Sequence, residues 1–478
     1  MSFAKYFIKK PIGELHEEIP TEYSLKRVLG PINLVNIGVG SIIGAGIFVL
    51  TGTAAATHAG PAIVLSFILG GIVCAFAGLC YSELASLIPI SGSAYSYAYA
   101  TLGELIAWII GWDLILEYTL GSATVAVGWG GYVVSLLKDL HLVIPPQFTA
   151  PLGAKLADGT TGFFNLPAFL IVMAITVLLV IGIRESAKFN NAIVFVKLLV
   201  IFAFLFFGVS HINFANWYPF IPKNTGKMGD FGPSGVVTGA AVVFFSYIGF
   251  DAVSTAAQEA KNPRRDMPIG ILGSLFFCTL LYILVSGTLT GVVNYHDLNV
   301  PDPIAVGVNK IGMPWLALLV KIGAILGLSS VILVLFYGQT RVSYAMALDG
   351  LMPKFLGKVH KRFHTPYITT IIFGFLIAFA AALTPIGKLG EMVSIGTLFA
   401  FIIVCAGVIY LRMKQPDLPR AFRCPLVPWV PIGGIVSSLY LMSGLPLDTW
   451  MRLIIWLIIG LVIYFTYGHK NTKAGVIT

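Results

Sequence analysis

The chain has 478 residues, of which 57% are hydrophobic and only 11% charged, with a mean hydropathy of +0.89. That balance excludes a soluble globular or disordered chain and defines an integral membrane protein. The formal net charge of +9 does not call for a nucleic-acid partner, because the basic residues collect in segments that alternate along the chain.

Met1 to Arg27 is polar and mixed in charge, lacks the order of a signal peptide, and is expected to stay in the cytoplasm as part of an N-terminal segment 1–30. Apolar stretches bounded by Pro, Gly and charged residues then fall near 31–56, 62–88, 104–136, 166–183, 190–210, 235–258, 268–291, 314–347, 367–384, 390–411, 428–446 and 449–468. These are twelve candidate transmembrane helices, since a bilayer core takes roughly 20 apolar residues. With the N-terminus inside, the cytoplasmic segments hold about three times the Lys and Arg of the outer ones, so both termini are expected to be cytoplasmic. Anionic cytoplasmic lipid favours the same arrangement. Residues 137–164 read as a long outer loop, Asp349 to His364 as a short cytoplasmic helix and linker, and 469–478 as a tail. Five cysteines, Cys74, Cys80, Cys278, Cys405 and Cys424, show no metal-ligand spacing and read as packing residues.

The first span contains SIIGAGIF (41–48), with glycine where a helix breaks most easily. Inside hydrocarbon an unpaired backbone group costs several kcal/mol, so irregular backbone persists only where protein, water or ligand satisfies it. A helix that stops and restarts presents free N–H groups and the positive end of a dipole, which suits a carboxylate. The sixth span carries a counterpart, FFSYIGFD (244–251), and SIIG at 41–44 parallels SYIG at 246–249. Interruptions in the first and sixth spans match two five-helix halves of an inverted repeat. The alternative is that these glycines serve close helix packing.

Ionisable residues at membrane depth ask for a reason, because each costs on the order of 2.5–3.5 kcal/mol by insertion scales. Lys197, in NAIVFVKLLVIF, is either a proton carrier or a residue that snorkels to the cytoplasmic interface. Glu117 in the third span has Asp113 as its i−4 neighbour, and one of the two is expected to be protonated or to face a wet cavity. Asp251 ends the second interruption, where it caps the backbone or meets a cation, and Lys321 reads as snorkelling.

Four blocks carry a family resemblance: NIGVGSIIGAGIFVLTG (36–52), CYSELASLIPISGSAYSYAYATLGELIAWIIGWDLILEY (80–118), FFSYIGFDAVSTAAQEAKNPRRDMPIGI (244–271) and YGQTRVSYAMALDGLMPKFLGKVHKRFHTP (337–366). In this order and spacing the chain resembles the amino acid-polyamine-organocation superfamily of transporters, in the bacterial form of its cationic amino acid transporter branch. The resemblance implies an all-α LeuT-like fold of twelve helices. Residues 31–210 would form the first repeat, 234–411 the inverted second, and 428–468 two accessory helices, with helices 1 and 6 discontinuous. It further implies that the amides of Gly44, Ala45 and Gly46 hold a substrate carboxylate, with the carbonyl of Ile42 near the amino group. Carbonyls of Phe245, Ser246 and Ile248 would take the rest of the ammonium. Ala45 departs from the Ser or Thr of many relatives and offers no hydroxyl. By the same resemblance Lys197 stands where sodium-coupled relatives bind their ion and braces span one against span eight. Tyr282 would help to hold it, and Glu117 would tune the polarity behind the site.

The expectation is therefore a bacterial plasma-membrane carrier that imports amino acids by proton symport, with no cofactor and no metal. Exchange of one amino acid for another and sodium coupling through Ser329 and Ser330 are rivals within the same fold. A non-transporting sensor is the rival from another class. A channel is disfavoured because polar residues are scattered rather than set in rings. No nucleophile–base pair, metal cluster or phosphate loop suggests an enzyme. The side-chain pocket is expected to be flanked by Ile43, Phe245, Ile248, Phe250 and Ile332, which favours small or branched neutral amino acids over cationic ones.

Overall fold

The computed structural model describes residues 8–9, 29–88, 93–156, 159–182 and 187–472. Most of the expected N-terminal segment 1–30, and 473–478 of the tail, lie outside the described residues. Helices of eight residues or more are, in chain order, α1 Pro31–Ile42, α2 Ile63–Leu87, α3 Ser93–Thr101, α4 Glu104–Asp139, α5 Leu166–Ile181, α6 Ala187–Val209, α7 Gly232–Val243, α8 Pro263–Val292, α9 Pro303–Lys310, α10 Pro314–Leu348, α11 Tyr367–Leu383, α12 Ile386–Lys414, α13 Trp429–Ser443 and α14 Leu447–Ile463. Among the described residues there is no sheet, only two isolated bridges, Leu29 with Ala260 and Lys155 with Thr161.

Seven continuous helical stretches are long and apolar enough to cross a membrane, and five shorter apolar helices accompany them. One of the seven, Gly46–Leu87, spans 42 residues but turns back at Gly60, where φ is +60° and Pro61 follows. Only glycine adopts that backbone without strain, so the stretch is two helical segments joined at that turn. Proline at the first turn opens α1, α5, α7, α8, α9 and α10, where its missing N–H has no partner to lose.

Two helices fall outside the spans read from hydropathy. α3, SAYSYAYAT, is entirely buried although half of it is polar. Two of its tyrosines meet acids, Tyr95 donating to Asp349 (2.6 Å) and Tyr99 approaching Glu104 (3.5 Å), while Tyr97 packs edge-on against Tyr81. α9 is an eight-residue helix in the connection between α8 and α10. Neither makes an apolar window long enough to register.

α4 forms the spine, packing against α10, α12, α5 and α11. α14 docks on α4 through an indole ladder: Trp112 and Trp456 stack at 4.4 Å, each indole N–H donates to the other residue's carbonyl, and Trp108 donates to Gly460 O at 2.9 Å. At one end of the bundle Glu83 of α2 is fully buried between Arg412 and Arg420, both 2.9 Å away, and accepts the Cys424 amide at 2.8 Å. These contacts clamp the α12–α13 connection onto α2.

Candidate functional site

α1 stops at Ile42, Ile43 is extended (φ −74°, ψ 97°), and the first backbone bond of the continuation runs from Phe48 N to Gly44 O at 3.3 Å. The amides of Gly44, Ala45 and Gly46 precede that bond and so form the bare start of a helix. The continuation begins as a π-helical turn, Gly46–Leu50, where both the amide and the hydroxyl of Thr51 reach Gly46 O. The second interruption follows α7: a 3-10 turn at Phe244–Tyr247, extended Ile248, and Gly249 at φ +115°. Asp251 closes it, accepting from Gly249 N (3.3 Å) and from the Tyr118 hydroxyl (3.0 Å).

The two interruptions touch. A Cβ on Gly249 would lie 2.8 Å from Ser41 O, and one on Gly46 would run into the backbone and hydroxyl of Ser246. The two interruptions therefore cross with Gly249 against Ser41 and Gly46 against Ser246, and no larger residue fits at either glycine without separating them. Beyond them, Leu29 and Glu259–Lys261 exchange backbone bonds of 2.9 and 2.8 Å, tying the two interrupted chains together again.

Between the interruptions lies a small cavity of about 10 Å³, lined by Ser41, Ile42, Gly44, Ala45, Gly46, Val125, Phe245, Ile248, Val331 and Leu335. Six of these were expected from sequence: Ile42, Gly44, Ala45, Gly46, Phe245 and Ile248. Three other expected residues sit behind that lining. Ile43 is buried and presents its carbonyl to Lys197, Ser246 packs its backbone on Gly46, and Phe250 packs edge-on against Tyr81 at 5.5 Å and tilted against Phe401 at 5.2 Å. Ile332 is likewise buried away from the cavity, and its neighbours Val331 and Leu335, one helical turn apart, supply that wall. Val125, Val331 and Leu335 were not legible because α4 and α10 are apolar on every side, so periodicity marks no face.

Lys197 does not snorkel. It is fully buried, donating to Gly40 O at 2.8 Å and Ile43 O at 3.1 Å, and its stem lies where a Cβ on Gly327 of α10 would be 2.8 Å from Cε. The ammonium thus binds the C-terminal carbonyls of α1, where the helix dipole favours a cation. The Tyr282 hydroxyl lies 2.8 Å from Ile42 O and 2.6 Å from Ser246 O, one carbonyl from each interruption. A phenol has one proton and each carbonyl two lone pairs, so both carbonyls retain capacity for a further donor. Glu117 is 2% exposed and sits near Thr397, Asp113 and Asp251.

Lys321 is a correction to the snorkelling reading, since it is 2% exposed and pairs with Asp139 at 2.6 Å. Ser329 accepts from the Trp129 indole at 2.9 Å and donates to Ile325 O, while Ser330 donates to Gly327 O. Both hydroxyls are engaged, and the Lys197 stem, from α6, packs against Gly327 of the same helix. Among the described residues no group of three His, Cys, Asp or Glu could hold a metal ion.

A bundle of apolar helices with two broken crossings meeting at a small buried cavity defines a membrane transporter, not an enzyme. The amino acid permease family profile matches residues 29–465, and the chain belongs to that family, within the amino acid-polyamine-organocation superfamily. The chain is 49% identical over 468 residues, 98% of each chain, to a protein of Bacillus subtilis (strain 168) named branched-chain amino acid permease BcaP. It is 44% identical over 466 residues, again 98% of each, to the methylthioribose transporter of the same organism. To cationic amino acid transporter 4, vacuolar, of Arabidopsis thaliana it is 32% identical over 565 residues, covering 94% of this chain and 93% of the relative.

Proposed function

We propose that this protein imports neutral aliphatic amino acids across the bacterial cell membrane by proton symport, through alternating access of twelve spans arranged as two inverted five-helix repeats plus two accessory helices. The observation that carries this reading is the cavity itself: bare amides at Gly44–Gly46 on one side, and Val125, Phe245, Ile248, Val331 and Leu335 around the rest. An anion is held by a helix start, while an apolar wall without a carboxylate disfavours a lysine or arginine head. The relative named for branched-chain amino acids supports the same substrate class. The repeat is supported by packing, since the helices it would pair, α2 with α8, α4 with α10 and α5 with α11, contact one another. The uneven distribution of Lys and Arg supports cytoplasmic placement of both termini.

Lys197 is the proposed coupling group. Charged, it holds the end of α1 against α10; neutral, it releases the carbonyls of Gly40 and Ile43. A cation at that place leaves no room for a sodium ion beside it, which favours proton over sodium coupling. Exchange is the alternative mode, and uptake into proteoliposomes with and without an imposed pH gradient separates the two. Leucine accumulation driven by the gradient is expected in the wild type and lost in Lys197→Met, while counterflow persists in both. Gradient-driven accumulation in Lys197→Met would remove the lysine from the mechanism. Competition by the twenty amino acids and by methylthioribose identifies the substrate, and binding without counterflow would indicate a sensor.

A further inference from the structure

The connection from α10 to α11 carries Lys354, Lys358, Lys361 and Arg362, all exposed, and no Asp or Glu occurs between Asp349 and Glu391. Asp349 itself holds the Tyr95 hydroxyl at 2.6 Å. Elsewhere cations meet acids, Arg412 and Arg420 at Glu83 and Lys321 at Asp139, but among the described residues none of these four is ion-paired. Four like charges within nine residues repel one another, and an anion from outside the chain relieves that repulsion. The connection is fastened to the ends of two helices. Thr365 donates to Val180 O at 2.7 Å in the last turn of α5, and Thr369 of α11 donates to Leu356 O at 2.6 Å. Between these anchors His360 closes a turn: its amide donates to Thr365 O at 2.9 Å, and its Nδ1 accepts from the amides of Arg362 and Phe363, both at 3.2 Å. Its ring stacks on Phe363 at 4.7 Å, and Lys361 and Arg362 are left at the exposed tip. The same connection exposes two apolar side chains, Phe355 (46%) and Val359 (42%). α5 and α11 pack on each other, and Val177 and Ile181 near the end of α5 are exposed, as are Ile371 and Ile372 in the first two turns of α11. An apolar wall therefore runs up to a tip of unpaired cations.

We infer that this connection, with the ends of α5 and α11 beneath it, is a binding site for an anionic phospholipid. The phosphate is held by Lys358, Lys361 and Arg362, and the acyl chains lie along the wall that ends at Ile181 and Ile371. The headgroup is anionic because a choline would set one more cation beside those already there. A lipid fits better than a soluble phosphate because it also covers Phe355 and Val359, which a hydrated ion would leave in water. The inner leaflet follows from the orientation given under the proposed function, whereas the binding itself depends on neither the orientation nor the transported substrate.

The test titrates the full-length protein, in an uncharged detergent, with dioleoylphosphatidylglycerol or dioleoylphosphatidylcholine and counts bound lipid by native mass spectrometry. Wild type should retain phosphatidylglycerol in preference to phosphatidylcholine. Each cation at an anionic lipid surface is worth roughly fivefold in affinity, so the triple variant Lys358→Gln, Lys361→Gln, Arg362→Gln should bind phosphatidylglycerol about tenfold more weakly or worse. A second triple, Lys261→Gln, Arg264→Gln, Arg265→Gln, removes the same charge from another exposed basic stretch. Charges beyond a Debye length are screened, so it should change binding by less than about twofold. Equal loss in both triples, or no preference for phosphatidylglycerol in the wild type, overturns the site. Phe355→Ser with Val359→Ser keeps every charge and should weaken both lipids by about threefold or more. Unchanged affinity in that variant, or displacement of the lipid by inorganic phosphate where chloride of equal ionic strength does not displace it, marks a soluble-anion site and overturns the lipid assignment. Should the first triple fail to fold, Lys358→Gln and Arg362→Gln are measured singly. A loss of about fivefold in each supports the site, and no loss in either overturns it.

Discussion

Gly46→Ala and Gly44→Ala place the same methyl group two residues apart and should differ sharply. At Gly46 the new Cβ overlaps Cα, Cβ and Oγ of Ser246, and a backbone atom cannot rotate away. The two interruptions must separate, an overpacking cost of about 1–3 kcal/mol. Separation also lengthens one of the Tyr282 bonds, now 2.8 Å to Ile42 O and 2.6 Å to Ser246 O, for a further loss of about 1 kcal/mol. At Gly44 the Cβ meets only the two methyls of Val331, both at 3.4 Å, so a small rotation accommodates it. The expected total is about 2–4 kcal/mol against Gly46→Ala and less than about 1 kcal/mol against Gly44→Ala. If half of the Gly46 cost falls on the bound state, leucine affinity drops about tenfold, since each factor of ten takes roughly 1.4 kcal/mol. Equilibrium binding in detergent, together with thermal unfolding of the same preparations, reads both. Equal behaviour of the two variants, or a worse Gly44→Ala, would refute the claim that the interruptions touch at position 46.

Two further expectations concern charged groups away from the cavity. Burial raises the Asp302 carboxyl above its usual range, with Ser135 and Lys321 acting in the opposite direction. The folded protein therefore holds a proton there more tightly than the unfolded chain, and stability falls as pH rises from the unfolded through the folded pKa. Asp302→Asn should accordingly unfold at a higher temperature than wild type at neutral pH, with the difference vanishing in acid. A less stable Asn variant at neutral pH would contradict this. Glu83→Gln leaves the buried Arg420 without its counter-charge. Breaking a buried pair costs about 3–5 kcal/mol, reduced here to about 2–3 because the Arg412 guanidinium reaches water. The thermal midpoint should fall while leucine affinity in the folded fraction stays the same, and a lowered affinity would mean that this clamp participates in the site.

Much of the lining of the candidate site was legible because broken membrane helices are a composition signal. Glycine at 44, 46 and 249 inside apolar runs has few explanations in hydrocarbon, and six of the expected residues do line the cavity. What stayed hidden had no one-dimensional trace. Phe250 and Ile332 are as apolar as Val125 and Leu335, and only packing tells which of them faces the cavity. Lys197 and Lys321 look alike in a window of sequence, yet one meets backbone carbonyls and the other Asp139, a partner 182 residues away. α3 and α9 escaped because their burial comes from tertiary hydrogen bonds and close glycine contacts, not from hydrophobicity.

By itself the sequence determined that this chain lies in a membrane, roughly where its crossings run, and where the first and sixth are weakened, because each of these follows from local hydropathy and backbone freedom. The tertiary structure alone decided that the two weak points touch at Ser41–Gly249 and Gly46–Ser246, and that a lysine from α6 and a tyrosine from α8 hold the carbonyls there. Those are contacts between residues dozens to hundreds of positions apart, and no local property of a chain encodes which distant carbonyl a buried donor will find.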